Sequence, residues 1–260
     1  MGSPYILDNA RKEAADRFPA LSASFDPGTI RHLEDLGVGP GWQCLEVGGG
    51  GGSIAAWLAA RVAPTGHVLA TDIDTRFLES LNLPNTEVRR HNIAADPLPE
   101  AAFDLVHSRL VLIHVPEREQ ALRRMIAALK PGGWIIDEDF DLSVFPDPAK
   151  YPGEVLTSTF AAMVRIMNDR GVDQNFGRRL FGLLRTFGLA DVAAEGRTIM
   201  WTAGSAGPSL LRSNFEQLRT AMIDAGYITQ QEFEEDIARL DDPTFVMPSP
   251  VMWAAWGRRA

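Results

Sequence analysis

The chain has 260 residues, of which 45% are hydrophobic and 23% charged, and a formal net charge of −9. That length buries one sizeable core, as in a single α/β domain with additions; phosphate binding needs clustered Lys and Arg, so an acidic balance whose basic residues come only as pairs (Arg89-Arg90, Arg123-Arg124, Arg178-Arg179) argues against a nucleic-acid partner. The lone cysteine, Cys44, has no intramolecular disulfide partner, no apolar run reaches membrane-spanning length, and the N-terminus lacks a signal-peptide pattern, so a cytoplasmic protein with no membrane partner is expected.

Taken in order, residues 5 to 18 read as a helix with Asp8 or Asn9 as its cap. Asp26-Pro27-Gly28-Thr29 starts a second helix, with Asp26 as N-cap and Pro27 at the first helical position, where its missing N–H costs nothing. Gly37 and Gly39-Pro40-Gly41 end it. Cys44 to Val47 is the first strand; it runs into the glycines 48 to 52 and then into a helix from Ser53 that stops near Ala63-Pro64-Thr65-Gly66. In this strand, glycine turn and helix, Gly48, Gly50 and Gly52 supply positive φ and let backbone N–H groups and the helix N-terminus come close to a ligand. Such turns serve dinucleotides and other adenosine-containing cofactors. The dinucleotide pattern G-x-G-x-x-G is met here only because the whole run is glycine. An acidic residue two before G-x-G-x-G is met by Glu46 to Gly52. A carboxylate at Glu46 is costly beside a pyrophosphate and useful beside a cation, which points away from a nicotinamide cofactor.

His67 to Asp72 is strand two, Thr75 to Leu81 a short helix, and Glu87 to His91 strand three, followed by Asn92-Ile93 and a turn. Strand four, Phe103 to Ser108, has its C-terminal end at the edge where open α/β sheets bind ligands, so Ser108 and Arg109 are candidate ligand contacts, with a surface ion pair as the alternative for Arg109. Pro116 and then Glu117 to Leu129 make a helix with an apolar stripe at Leu122, Met125, Ile126 and Leu129. Strand five, Trp134 to Asp139, ends in Asp137-Glu138-Asp139-Phe140-Asp141. By register Asp139 is the acid expected to orient a substrate or accept a proton. Consecutive acids alternate faces of a strand, which disfavours a metal site there. Residues 142 to 175 carry Pro146, Pro148 and Pro152 and then a helix from about Gly153 to Arg170, an insertion longer than a plain connection needs. Its Phe145, Tyr151, Phe160, Met163 and Met167 line a substrate pocket or, at helical spacing, pack the core. Gly177 to Gly188 reads as a helix, Val192 to Thr202 as strand six, 205 to 240 as two helices broken near Gly226, and Thr244 to Gly257 as the last strand.

Glu46 with its glycines, Val68 to Asp72, Phe103 to Ser108 and Leu129 to Trp134, in this order, resemble the motifs of class I S-adenosylmethionine-dependent methyltransferases of the small-molecule type. The resemblance implies an α/β, Rossmann-like, doubly wound sheet of seven strands in the order 3-2-1-4-5-7-6, strand 7 antiparallel. It implies one domain over 1–260, with an N-terminal helical cap (1–41), a cofactor-binding core (42–140), a helical substrate or lid insertion (141–188) and C-terminal strands and helices (189–260). The cofactor implied is S-adenosyl-L-methionine, held by Glu46, Gly48, Gly50 and Gly52, with Asp72 on the ribose hydroxyls and Ile73 beside it. Asn92 and the backbone of Ile93 match the adenine contacts, and Ser108 and Arg109 lie at the methionine end. His114, before a hydrophobic-Pro-acidic sequence, either fixes the local backbone or joins Asp139 in the chemistry. The activity implied is methyl transfer to oxygen, nitrogen or carbon of an apolar small molecule, such as a secondary metabolite. Two alternatives keep their place: use of bound S-adenosylmethionine in a non-methylating reaction, and a nicotinamide-dependent oxidoreductase. Segments 5 to 18 and 142 to 175, through Tyr5, Phe18, Phe145, Tyr151 and Met163, are expected to form a lid over the acceptor.

Overall fold

A computed structural model describes Leu7, residues 13–142 and residues 156–260. Its main sheet has seven strands in the order β3-β2-β1-β4-β5-β9-β6. These are β1 (Gln43–Val47), β2 (His67–Asp72), β3 (Thr86–Arg90), β4 (Phe103–Arg109), β5 (Leu129–Asp141), β6 (Ala190–Arg197) and β9 (Val251–Arg258). Strands β1 to β5 pair in parallel, and β9 runs antiparallel. With β9 as the seventh strand of the sheet, this is the expected order.

The helices of the first half are α1 (Glu13–Asp35), α2 (Ser53–Val62) and α3 (Arg118–Ala128), with a 3-10 turn at Leu112–His114. Beyond β5 come α4 (Thr157–Asp169), α5 (Phe176–Thr186), α6 (Ala206–Asp224) and α7 (Gln230–Arg239). A two-stranded ribbon pairs β7 (Met200–Thr202) antiparallel with β8 (Val246–Pro248). The chain packs into two compact units. One holds the main sheet, from Asp26–Asp141, Asn175–Gly196 and Met252–Ala260; the other takes the described residues within Met1–Phe25, Leu142–Gln174 and Arg197–Val251.

Four local expectations are corrected. The two N-terminal helices are one: α1 runs through Asp26-Pro27-Gly28, so Asp26 caps nothing. Buried positions Arg17, Ala20, Ser24, Gly28 and His32 follow helical period straight through that tripeptide, while Pro27 and Ala23 are exposed. The carbonyl that Pro27 leaves without a helical donor belongs to the exposed Ala23, and tertiary burial outweighs the proline signal. Thr75 to Leu81 forms successive turns, closed by Glu79 N–H to Thr75 O (2.8 Å) and Leu81 N–H to Leu78 O (2.9 Å). So short a segment does not repay helix nucleation on its own, and here Leu78 and Leu81 are held against the glycine turn instead. The expected strand over Val192 to Thr202 divides into β6 and β7, and that over Thr244 to Gly257 into β8 and β9, because Trp201 and Met247 bury their side chains in the ribbon of the second unit. Asp8, Asn9, Tyr5, Phe145 and Tyr151 lie outside the described residues.

In the sheet unit, Cys44, Leu105 and Ile136 lie on one face of β1, β4 and β5 and pack with Leu33 of α1 and Ile54 and Leu58 of α2. Two positions further along each strand, on the same face, stand Glu46, His107 and Glu138. Neighbouring strands thus change together from apolar to ionisable toward their C-terminal ends. In the helical unit, Arg17 donates to Gln217 at 2.8 Å, Phe25 meets Trp201 edge-on, and Thr159 N–H caps onto Asp236 at 2.9 Å. Phe160, Met163 and Met167 are buried there, and Phe18 is half-buried.

Candidate active site

The glycine turn forms as expected: Gly48, Gly50 and Gly52 have φ of 68°, 50° and 81°. A Cβ on Gly48 would collide with the side chain of Val111, and one on Gly52 with that of Leu81. The space above the turn is thus kept by protein neighbours as well as by backbone conformation. Gly50 N–H donates to Oδ2 of Asp72 at 2.9 Å, and Asp74 N–H to Oδ1 at 3.0 Å, so the end of β2 clasps the turn after β1. Burial raises the pKa of Asp72 above the ordinary value, with the backbone hydrogen bonds acting against it. Beside it, Ile73 is an exposed large hydrophobic residue.

Asn92 is exposed, and its side-chain oxygen accepts from Ala94 N–H at 3.0 Å while its own N–H donates to Asp96 at 2.8 Å. This is the local bonding of a turn asparagine. Ile93 is buried, and its carbonyl accepts from Arg124 at 3.0 Å.

Glu46 is 4% exposed and accepts a 2.5 Å hydrogen bond from Nδ1 of His107. The other ring nitrogen of His107 stands 3.4 Å from Oε2 of Glu138. Glu138 also accepts from the hydroxyl of Thr29, and its second oxygen lies 3.4 Å from Nδ1 of His32. From His32 the chain continues 3.6 Å to Glu195, which Arg31 holds at 2.5 Å. Burial alone would push His107 down, but the carboxylates of Glu46 and Glu138 outweigh it and raise its pKa to about 9. His107 is therefore an imidazolium at neutral pH, donating from both nitrogens. Burial works against the Glu138 carboxylate too, yet His107, His32 and Arg109 hold it well below the usual range.

Arg109, expected as a ligand contact or a surface ion pair, makes an ion pair that is buried: its guanidinium donates to Asp26 at 2.7 Å and Thr29 at 2.9 Å, with the side chain 7% exposed. Leu110 after it has φ of 57°, an uncommon conformation for a leucine and a strained one at the edge where ligands bind. On the opposite face, Ser108 is fully buried and donates to Asp137. Burial pushes Asp137 up to about 7, against that hydrogen bond and the charge of His107. Asp139 is fully buried, and its Oδ2 accepts Ile113 N–H at 3.1 Å, tying β5 to the 3-10 turn. His114 closes that turn through its N–H to Val111 O at 3.0 Å. Asp141 pairs with Arg178 at 2.5 Å. Among the described residues no group of His, Cys, Asp and Glu is arranged to hold a metal ion, and none of the helices is long and apolar enough to cross a membrane.

The structure thus gathers the glycines, Asp72, Ile73 and Glu46 around one strand edge, and directs Ser108, Arg109 and Asp139 into bonds with the protein. Sequence reasoning missed His107, Thr29, His32 and Asp26 as parts of the site's foundation. The available signal was the repeated step from an apolar to an ionisable residue two positions on, Cys44 to Glu46, Leu105 to His107 and Ile136 to Glu138, which acquires meaning only once the strands are in register.

A family model described as a methyltransferase domain matches residues 45–137. The chain is 35% identical over 157 residues to methyltransferase str3 of Strobilurus tenacellus, covering 59% of this chain and 55% of that protein. It is 32% identical over 124 residues to the ubiquinone/menaquinone biosynthesis C-methyltransferase UbiE of Vibrio vulnificus, covering 45% and 47%. The chain thus spans about half the length of these two relatives. Among solved structures, a phosphoethanolamine N-methyltransferase of Haemonchus contortus, in complex with phosphomonomethylethanolamine and S-adenosylhomocysteine, shares the fold with a TM-score of 0.56 at 14% identity, over 90% of this chain and 52% of that one.

Proposed function

We propose that the chain is a class I S-adenosylmethionine-dependent methyltransferase, as the match to the methyltransferase domain supports, and that it transfers a methyl group from S-adenosyl-L-methionine to an oxygen, nitrogen or carbon of an apolar small molecule. The observation that carries the reading is the clasp between Asp72 and the glycine turn. It places a carboxylate at the end of β2 beside a backbone cradle that would lose its shape if Gly48 or Gly52 bore a Cβ. That donor set fits an adenosine with a free ribose diol.

In this reading Asp72 accepts the ribose hydroxyls, the turn at Gly48, Gly50 and Gly52 admits the extended ligand, and Glu46 provides negative charge at its cationic end. Ile73 offers an apolar surface and Asn92 with Ile93 the adenine contacts. Ser108 and Arg109 shape the methionine end through Asp137 and Asp26. When bound, the cofactor supplies an electrophilic methyl on a sulfonium. The residues of the chain then position the acceptor and exclude water, which supplies much of the rate in such a transfer. Asp139 acts as an orienting acid that fixes the 3-10 turn carrying His114. The insertion over 141–188 selects the acceptor. A cytoplasmic location fits a buried free thiol at Cys44.

The test is transfer of labelled methyl from S-adenosylmethionine to a panel of apolar phenols, amines and quinols. Label in the product supports the reading; cofactor binding without transfer to any acceptor, alongside conversion of a substrate by another route, would move the chain to the non-methylating use of the same site.

A further inference from the structure

Glu46 stands two residues before the glycine turn, yet its Oε2 is occupied by Nδ1 of a fully buried histidine. We propose that His107 is a positioning residue for the cofactor: its proton aims the carboxylate of Glu46, and a cationic ligand set against Glu46 competes with that proton, so that binding of S-adenosylmethionine is linked to proton release from His107. The inference rests on the cofactor reading above.

The geometry supplies each step. His107 has no neutral way to satisfy both neighbours: with one N–H it donates to Glu46 on β1 or to Glu138 on β5, and its other nitrogen then turns a lone pair toward a carboxylate. The groups facing it are Glu46 and Glu138 directly, with Asp137 nearby on β5. Behind Glu138 stand Thr29 and His32 of α1 and Arg109 of β4. A positive charge added beside Glu46 disfavours the imidazolium, as any like charge does at short range in a poorly solvated site. The proton that leaves passes to solvent, and a route is present: Glu138, His32 and then Glu195, whose side chain is 37% exposed. No bond other than the N–H of His107 is broken, and a water or buffer base accepts the proton. The arrangement also explains why the ionisable residues extend across the sheet to α1 instead of ending at Glu46.

The experiment is calorimetry of S-adenosylmethionine binding to the full chain in two buffers of different ionisation enthalpy, from pH 7 to 9, with wild type, His107→Gln and Glu138→Gln. The ligand's own amino group also titrates here, so the readout is the difference between proteins. Wild type should release more protons per ligand than His107→Gln, and its affinity should rise with pH. Each unit by which binding lowers the pKa of His107 corresponds to about tenfold in affinity over that range. Glu138→Gln removes one of the two carboxylates holding the proton, so its release should peak at lower pH. Equal proton release in wild type and His107→Gln overturns the proposal. If His107→Gln does not fold, an unmoved peak in Glu138→Gln overturns it instead. Wild type that gives no binding heat at any pH would overturn the cofactor reading along with it, whereas binding without linked protons removes this inference alone.

Discussion

Val111 closes over Gly48: a Cβ at that glycine would be driven into the valine's Cγ2, on backbone already at φ of 68°. The residue that forbids a side chain in the first turn is therefore supplied by the segment after β4, and the two halves of the cofactor edge are fitted to each other. Gly48→Ala should cost roughly 1–3 kcal/mol for the positive φ alone and should push Val111 and the 3-10 turn aside. A lower melting temperature together with weaker S-adenosylmethionine binding is the expected result. Wild-type affinity in a folded Gly48→Ala protein would mean that the turn is a structural bend and nothing more.

Asp72 braces the turn through Gly50, and the proposed function also gives it the ribose hydroxyls. Hydrogen bonds to a charged group contribute about 1.5–3 kcal/mol, so Asp72→Ala should weaken S-adenosylmethionine by about one to two orders of magnitude. Titration calorimetry reads this directly, and unchanged affinity would count against the assignment.

The stability of the sheet unit should depend on pH through His107. Its folded pKa of about 9 lies above the ordinary 6.5, so the stabilisation is fully present below pH 6.5 and is lost as pH rises through 9. The shift corresponds to something on the order of 3 kcal/mol between those limits. Melting temperatures from pH 6 to 10 should fall for wild type and stay nearly level for His107→Gln over the same window. Asp137 acts in the opposite region: burial raises it from 3.8 to about 7, so its ionisation removes stability between pH 4 and 7, and Asp137→Asn should flatten that limb.

Asp139 can be examined by comparing two substitutions. Asn keeps an oxygen that accepts Ile113 N–H, and Ala does not. An orienting acid predicts turnover within about fivefold of wild type for Asp139→Asn and a much larger loss for Asp139→Ala. Equal, large losses in both, with cofactor affinity preserved, would make Asp139 a general base.

The sheet was legible because its signals are local. Cys44 to Val47 before the glycines, His67 to Asp72 and Phe103 to Ser108 are apolar runs with turn residues at their ends, and each is a strand close to its expected bounds. Pro27 misled because a proline's local cost was weighed without the buried stripe of Arg17, Ala20, Ser24, Gly28 and His32 that passes through it. The cradle itself was legible at Gly48, Gly50 and Gly52, since positive φ is a property of single residues. The bonding partners of Arg109 and Asp139 were not, because Asp26 and Ile113 are brought to them by tertiary packing, and Asp26 is 83 residues from Arg109 in the chain. His107 was overlooked for the same reason: nothing in Phe103 to Ser108 announces a charge until Glu46 and Glu138 are placed on either side.

Strands β6 and β9 are neighbours in the sheet and run in opposite directions, so Arg197, where one ends, and Val251, where the other begins, lie at the same edge. Two such strands need no more than a tight hairpin to join them, yet the ribbon, α6 and α7 occupy that connection. Residues 198–250 are in effect a cassette inserted where a short loop would suffice. A relative with the same sheet can exchange, lengthen or lose this cassette without disturbing strand order, because both of its ends are already neighbours.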